Sequence, residues 1–398
     1  MTSDVLGVVD LFCGCGGFSE GFRLAGFEVL GGADLDEYRV LTCRLGDVVG
    51  RVGVGGLLDY RGFLRGELGL DEFLVEYGDV CGDFRVMDLC GGEFGVDGVV
   101  DGVIGGFPCQ PFSRVGRAKI CDPDGDGRVG LYRVFLDYVE RLRPLFFVAE
   151  NVPGFRSAGG GRVFRDFVGR AEGLGYGVVD VVLDASDFMV PQGRRRCFVL
   201  GFVDGVPDGL CFGGEAWDGL LWDVFMDLPV IEAGFRDEGF LEYCGPSSEV
   251  LVRAGIGGSI VGGVRNHVCR GHNVRDLGVF RFVADEWYRR GVNVSQYDIP
   301  GDLWVNDGSG RFRDLFRVLG GDKRVGHTVL ANLSRDGRRF IHPLGGRSVS
   351  VREAARLQGF CDDYFFVGPM TRCYGMIGDA VPPGLGCGVA RGVLDVIG

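Results

Sequence analysis

The feature that most constrains this chain is a rhythm in its first half, where apolar runs of strand length alternate with periodic segments of helix length. VLGVVDLF (5–12) leads through a Gly-rich turn into GFRLAGF (21–27), and EVLGGADLD (28–36) follows. The pattern returns as DGVVDGVIGGF (97–107), a helix-like LYRVFLDYVERLR (131–143) and the short apolar run PLFFVAEN (144–151). Strand-length runs separated by amphipathic helices predict an α/β fold, a doubly wound and mostly parallel sheet covered by helices on both faces. Ligands of such sheets bind at the carboxyl ends of the strands. From about 203 to 345 the regularity fades into Gly-, Asp- and Arg-rich sequence, and a helix-like SVSVREAARLQGF (348–360) restarts it. The expected division is a first domain over 1–203, a smaller second domain over 204–345, and a segment 346–398 that returns to the first.

No uninterrupted apolar run approaches the ~18 residues of a membrane span. The opening MTSDVLGVVD also lacks the basic start of a secretory signal. A soluble, cytoplasmic monomer is expected. The 14 cysteines are scattered, with no paired C-x-x-C spacing, so free thiols and no bound metal are expected.

The formal net charge of -13 argues at first against a nucleic-acid partner. Its distribution changes that reading. Residues 1–100 hold 7 Arg/Lys against 18 Asp/Glu, a net of -11, whereas residues 251–350 hold 16 against 9, a net of +7, together with all four His. One basic region could lie on phosphates while the rest stays acidic.

DLFCGCGGFSEGF (10–22) joins a strand-like to a helix-like run, so Gly14, Gly16 and Gly17 sit where backbone passes close to a ligand. Asp34, with Leu35 beside it, follows the second strand and is placed to accept hydrogen bonds from ribose hydroxyls. That spacing fits a nicotinamide cofactor as well as S-adenosylmethionine. In GGFPCQPFS (105–113), Cys109 stands between Pro108 and Gln110 in a stiff turn that would expose a thiol, the strongest ready nucleophile near neutral pH when positive charge favours its thiolate. Taken alone, each motif also has a bland reading: a tight turn, a buried cysteine, a helix cap at ENV (150–152), a solvated edge at QGRRR (192–196).

Together, and in this order, DLFCGCGG, GFPCQPFS, ENV, QGRRR and RLQGF (356–360) resemble the motifs of the cytosine-5 DNA methyltransferases over residues 10 to about 386. The resemblance implies a Rossmann-like methyltransferase domain and a target-recognition domain over 204–345. It also implies S-adenosylmethionine as cofactor, double-stranded DNA as substrate, and in prokaryotic members a separate restriction endonuclease as companion. It makes Cys109 the nucleophile at carbon 6 of a flipped-out cytosine, Glu150 the acid at ring N3, and Arg194 and Arg196 the organisers of the site. On the cofactor side it assigns Phe12 to adenine, Asp34 to ribose, Asp79 and Val80 of EYGDV to the adenine edge, and Leu131, Asp379 and Ala380 to the pocket. On the DNA side it points to Gln110, Ser113 and Gln192. The basic segment NHVCRGHNVRDLGVFRF (266–282) and its flank offer Arg265, His267 and Arg270. The loop 114–130 looks like one that closes over base and cofactor.

Two neighbouring functions fit the sequence less well. A tRNA-methylating branch of the same family has a compact recognition region and a Cys-Phe-Thr signature, neither of which occurs here. A catalytically silent relative is at odds with intact Cys109, Glu150 and Arg194. The family's usual Gln-Ile-Gly-Asn-Ala-Val-Pro-Pro reads MIGDAVPP here, which puts Met376 for Gln and Asp379 for Asn. An extra carboxylate beside the cofactor is expected to repel an anionic group on it.

Overall fold

The computed structural model describes residues 5–109, 112, 130–295, 297–303, 315–344 and 346–397. Seven strands form one sheet: β1 (Gly7–Leu11), β2 (Glu28–Asp34), β3 (Asp83–Val86), β4 (Gly102–Gly105), β5 (Phe146–Asn151), β6 (Gly177–Asp184) and β7 (Arg195–Phe202). Their spatial order is β3-β2-β1-β4-β5-β7-β6. The first five run parallel, and β7 inserts antiparallel to both β5 and β6. β1, β4 and β5 are buried from end to end, as expected of strands covered on both faces.

The order explains where a ligand can sit. The chain moves outward from β1 through β2 to β3, then returns to lay β4 on the other side of β1, with Leu11 opposite Gly105. Successive connections therefore diverge at the β1/β4 boundary, and a crevice opens at the carboxyl ends of those two strands. DLFCGCGG leaves the end of β1 and GFPCQ leaves the end of β4, so both motifs meet at that crevice.

One face of the sheet is filled by aromatic packing. The helix Leu131–Leu142 turns Tyr132, Phe135, Leu136, Tyr138 and Val139 inward, where they join Phe107, Phe147, Phe155 and Phe167. Each such ring is worth about 1.5–3 kcal/mol of burial. The other face is closed by α1 (Gly17–Leu24) and the helix Pro383–Ile397. The segment leading into that last helix lies so close to α1 that a Cβ on Gly17 would stand 2.2 Å from the Val381 carbonyl oxygen. Glycine is therefore required at position 17 by the returning C-terminal segment. Met370–Ile397 is long and apolar enough to cross a membrane, but the helix ends at Asp379 and restarts at Pro383, and 61% of its most apolar window is buried in the fold.

Regular structure thins out after β7. The helix Val274–Arg290 has a small core of its own with Phe316, Val318 and Ile341. Trp217, Leu221, Leu251, Val268, Leu319 and Val329 instead share one core with the helices Val351–Leu357 and Met370–Asp379. The first of these starts in a capping box: Ser350 Oγ accepts from Glu353 N–H at 3.1 Å and Glu353 Oε2 accepts from Ser350 N–H at 2.7 Å. Glu353 also holds Arg347, while Arg356 is bound by Asp227 and Asp362, and all of these charges are buried.

Candidate active site

β4 ends at Gly105, and the chain runs on through Gly106, Phe107 and Pro108 to Cys109. Phe107 anchors this turn in the aromatic core, and Asn151 braces it by donating from Nδ2 to the Phe107 carbonyl at 3.0 Å. Cys109 is left partly exposed above the β1/β4 crevice. Beside it Glu150, near the end of β5, is buried and paired with Arg196, whose Nε lies 2.8 Å from Oε1. Strand alternation places this pair: residues 194 and 196 face inward from the start of β7 while Arg195 points to solvent.

Arg194 has a different surrounding from Arg196. Its guanidinium is wholly buried, and it donates to the carbonyls of Val329 at 2.7 Å, Gly378 at 3.0 Å and Asp379 at 3.3 Å. It thus clamps two distant segments, around Val329 and Gly378–Asp379, behind the site. Burial, reinforced by neighbouring Arg196, pushes it down to about 9. The same burial raises the Glu150 carboxyl above the usual carboxylate range, with Arg196 and Arg194 pulling the other way. Burial and the charge of Glu150 push the Cys109 thiol up, opposed by the two arginines. Thiol and carboxyl are coupled: any step that neutralises Glu150 makes the Cys109 thiolate easier to form.

A single cavity runs from Cys109 and Glu150 to the turn after β1. Phe12, Gly14, Gly17, Asp34, Leu35, Leu131, Asp379 and Ala380, all expected from the sequence, line it. Asp34 secures the turn itself, because its Oδ2 accepts from Gly14 N–H at 3.1 Å and its Oδ1 from Asp36 N–H at 3.0 Å. Gly16, with φ at +84°, stands behind the cavity, and a Cβ there would strike Tyr364 and Cys43. Its glycine is needed for packing, and it is not among the residues that line the cavity.

Several expectations need correction. Asp79 and Val80 lie in a turn after the helix Leu70–Tyr77 and do not line the cavity; Asp88 and Leu89, which follow β3, do. The chain repeats one device here, since Asp34–Leu35 and Asp88–Leu89 stand at the carboxyl ends of parallel strands, β2 and β3, that are hydrogen-bonded to each other. Recognising Asp-Leu after a strand in both places would have found the second pair. Asp10, Arg39 and Met376 also line the cavity and were missed.

The DNA-side assignments fare differently. Gln192 is fully buried, with Nε2 donating to the Leu357 carbonyl at 2.8 Å and Oε1 accepting from Val329 N–H at 2.8 Å. His267 is buried between Ser350 Oγ and the Pro229 carbonyl, both at 2.9 Å. Arg270 donates to the carbonyls of Leu333 and Ser334 and lies over the Tyr374 ring. Arg265 donates to the Phe63 carbonyl at 3.1 Å and stacks on Phe63 and Phe365. These side chains are committed to holding the fold together. Gln110, Ser113 and the loop 114–130, except its last residue, lie outside the described residues.

Residues 79–208 and 306–394 match the C-5 cytosine-specific DNA methylase family. The Type II methyltransferase M.Bpa9945I of Bacillus paralicheniformis is 35% identical over 75% of this chain and 71% of its own length. The Type II methyltransferase M.AgeI of Thalassovita gelatinovora is 31% identical over 96% of this chain and 98% of its own. A solved structure described as a DNA modification methyltransferase encoded within an E. coli prophage superposes with a TM-score of 0.66 at 22% identity, covering 98% of this chain and 99% of that one, and so shares its fold. With the paired Glu150 and Arg196 beside Cys109 at the β1/β4 crevice, these likenesses lead to one conclusion: the chain belongs to the C-5 cytosine-specific DNA methylases and is a DNA (cytosine-5)-methyltransferase.

Proposed function

We propose that the enzyme moves a methyl group from S-adenosylmethionine to carbon 5 of a cytosine flipped out of a specific duplex sequence, through a covalent bond between Cys109 and carbon 6. The observation that carries this reading is the continuity of one cavity from Cys109 and Glu150 to Phe12, Asp34 and Asp88. S-adenosylmethionine supplies an electrophilic methyl on a sulfonium, and the lining suits such a cation. Five carboxylates border the cavity (Asp10, Asp34, Asp88, Glu150 and Asp379), and Asp10 Oδ1 is buried with no hydrogen-bond partner among the described residues. Phe12 offers a face to adenine, and Asp34 and Asp88 offer acceptors to ribose and base edge.

Carbon 5 of cytosine is a weak nucleophile, and the base must leave the stack to be reached. Cys109 loses its proton to water and its sulfur bonds to carbon 6, the electrons of the 5,6 double bond shifting so that the ring becomes an enamine; carbon 5 would then take the methyl as the bond from that methyl to the cofactor's sulfur breaks and a neutral thioether leaves. Glu150, whose hold on a proton is strengthened by burial, supplies a proton at N3 as the ring gains charge, and Arg196 keeps the carboxyl in place. Loss of the carbon-5 proton and cleavage of the carbon–sulfur bond then restore the aromatic ring and free the cysteine.

The region 204–345 serves in this reading as the target-recognition domain. The exposed Lys323 and Arg324 stand just before Gly326, whose carbonyl accepts from Gly193 N–H at 3.0 Å. The Type II relatives favour a partnership with a separate restriction endonuclease. Bisulfite sequencing of DNA from cells expressing the enzyme identifies the target. An oligonucleotide carrying 5-fluorocytosine at that position should then remain attached to the wild-type protein on a denaturing gel, because fluorine cannot leave as the proton does. Free DNA in that experiment refutes the covalent route.

A further inference from the structure

Arg39 is the single cation among the described residues that line the cavity, against five carboxylates. It belongs to α2 (Glu37–Arg51), and its Nη2 lies 2.5 Å from Asp379 Oδ2 at the end of the helix Met370–Asp379. Both side chains keep about a quarter of their surface exposed, 27% and 28%, and both border the cavity. Burial alone would weaken the charge on Arg39, but Asp379 and Asp34 hold it firmly protonated.

Tying the two helices together does not require this pair. Arg372, two turns earlier on the same helix, already reaches Asp36 at the start of α2 at 3.1 Å, outside the cavity. The backbone at Asp379 is fixed separately, by the bond from Arg194 Nη2 to its carbonyl. What the Arg39–Asp379 pair adds is charge at the cavity wall. S-adenosylmethionine carries a sulfonium, an ammonium and one carboxylate; an acidic cavity welcomes the first two and repels the third. The charge of Asp379 also reaches Cys109 and Glu150, raising both.

We propose that Arg39 is the positioning residue that admits the carboxylate tail of the cofactor, by neutralising Asp379 and presenting the cavity's one guanidinium to that tail. The proposal rests on the cofactor assignment above and accounts for how this chain tolerates an acid where its family has Asn. Repulsion by Asp379 is therefore not the operating condition of the wild-type enzyme. It is a latent effect that removing Arg39 exposes.

The test is calorimetric titration of the full chain with S-adenosylhomocysteine, which has the charged tail, and with 5′-methylthioadenosine, which lacks it. R39A should lose about tenfold in affinity for the first ligand, the size of a like-charge contact at intermediate screening, and stay within about twofold for the second. R39A/D379N, with both charges gone, should recover most of that loss, and the R39A deficit should shrink at high salt. R39Q, which keeps a donor without charge, should behave as R39A, and it replaces R39A if the alanine variant unfolds. Equal losses for both ligands, or no recovery in the double variant, overturns the role of Arg39. A wild-type protein that binds neither ligand refutes the cofactor assignment instead.

Discussion

The cavity at the end of β1 and β4 and the interior beneath the segment 263–272 are equally rich in charge but treat it in opposite ways. Beneath that segment the buried arginine–carboxylate groups pair off. Arg356 makes paired bonds to Asp227 at 2.5 and 3.0 Å and to Asp362 at 2.8 and 2.6 Å, and its remaining capacity goes to the Val224 carbonyl. Arg347 and Glu353 form a second saturated pair. In the cavity the matching is incomplete: Asp10 keeps an unbonded buried oxygen, Glu150 has one arginine partner, and Cys109 has only raised affinity for its proton. Saturated charge rigidifies a fold, whereas unsaturated charge is free to meet a ligand.

Breaking the unsaturated side should cost activity without stability. Cys109→Ser should abolish methylation, a loss beyond a thousandfold, because an alcohol has no accessible anion for attack at carbon 6. Its unfolding midpoint should match the wild type. Methyl transfer at the wild-type rate in a single-turnover assay with labelled cofactor would end the assignment of the nucleophile.

Breaking the saturated side should do the reverse. Arg356→Met leaves Asp227 and Asp362 buried without their partner, so denaturant titration should show a loss of about 3–5 kcal/mol. The protein that remains folded should methylate normally. A loss below about 1 kcal/mol would mean that the carboxylates find water or protons, and the contrast between the two regions would weaken.

How far this contrast could be read from the chain depends on distance along it. The strand–turn–helix at DLFCGCGG, the exposed thiol of GFPCQ, the buried acid of ENV and the alternation in QGRRR are local, since each is dictated by a strand end and the turn after it. GDV in EYGDV has the look of a strand end but forms a helical turn, and Asp88, after β3, lines the cavity instead. Arg39 was invisible, because its partner lies 340 residues away. Arg265, His267 and Arg270 have the composition of a DNA surface, but His267 is buried and the two half-buried arginines bond to backbone carbonyls, and no local pattern records such contacts in a region with so little regular structure.

Asp10 offers a test by pH. Burial raises its carboxyl from 3.8 to about 7, with Ser19 partly opposing the shift. The folded state therefore holds this proton to higher pH than the unfolded state, and the associated stability is complete below pH 4 and drains away as pH rises towards 7. Asp10→Asn cannot ionise. The unfolding free energy of the wild type relative to this variant should fall by a few kcal/mol between pH 4 and 8, an order-of-magnitude figure from roughly 1.4 kcal/mol per unit. A difference that stays flat across that range would show that Asp10 is charged at rest and already paired.

The smallest effect concerns how DNA is held. If phosphates are met by exposed cations, each lost contact should reduce the slope of log affinity against log salt by about 0.9. Lys323 is exposed and its ammonium rests over the Trp287 ring at 4.5 Å, and Arg324, also exposed, donates to the Asp218 carbonyl at 3.3 Å. Lys323→Ala and Arg324→Ala should each flatten the slope by about one contact while the fold stays intact. Arg270, by contrast, spends its guanidinium on Leu333, Ser334 and the Tyr374 ring. Arg270→Ala should lower the unfolding midpoint and leave the slope of the surviving folded protein unchanged. Affinities measured by fluorescence anisotropy over a salt series, with melting curves for each variant, separate the two behaviours. A slope that flattens for Arg270→Ala and not for Lys323→Ala would return the phosphate contacts to the 265–270 segment and reverse the roles given to these two groups of cations.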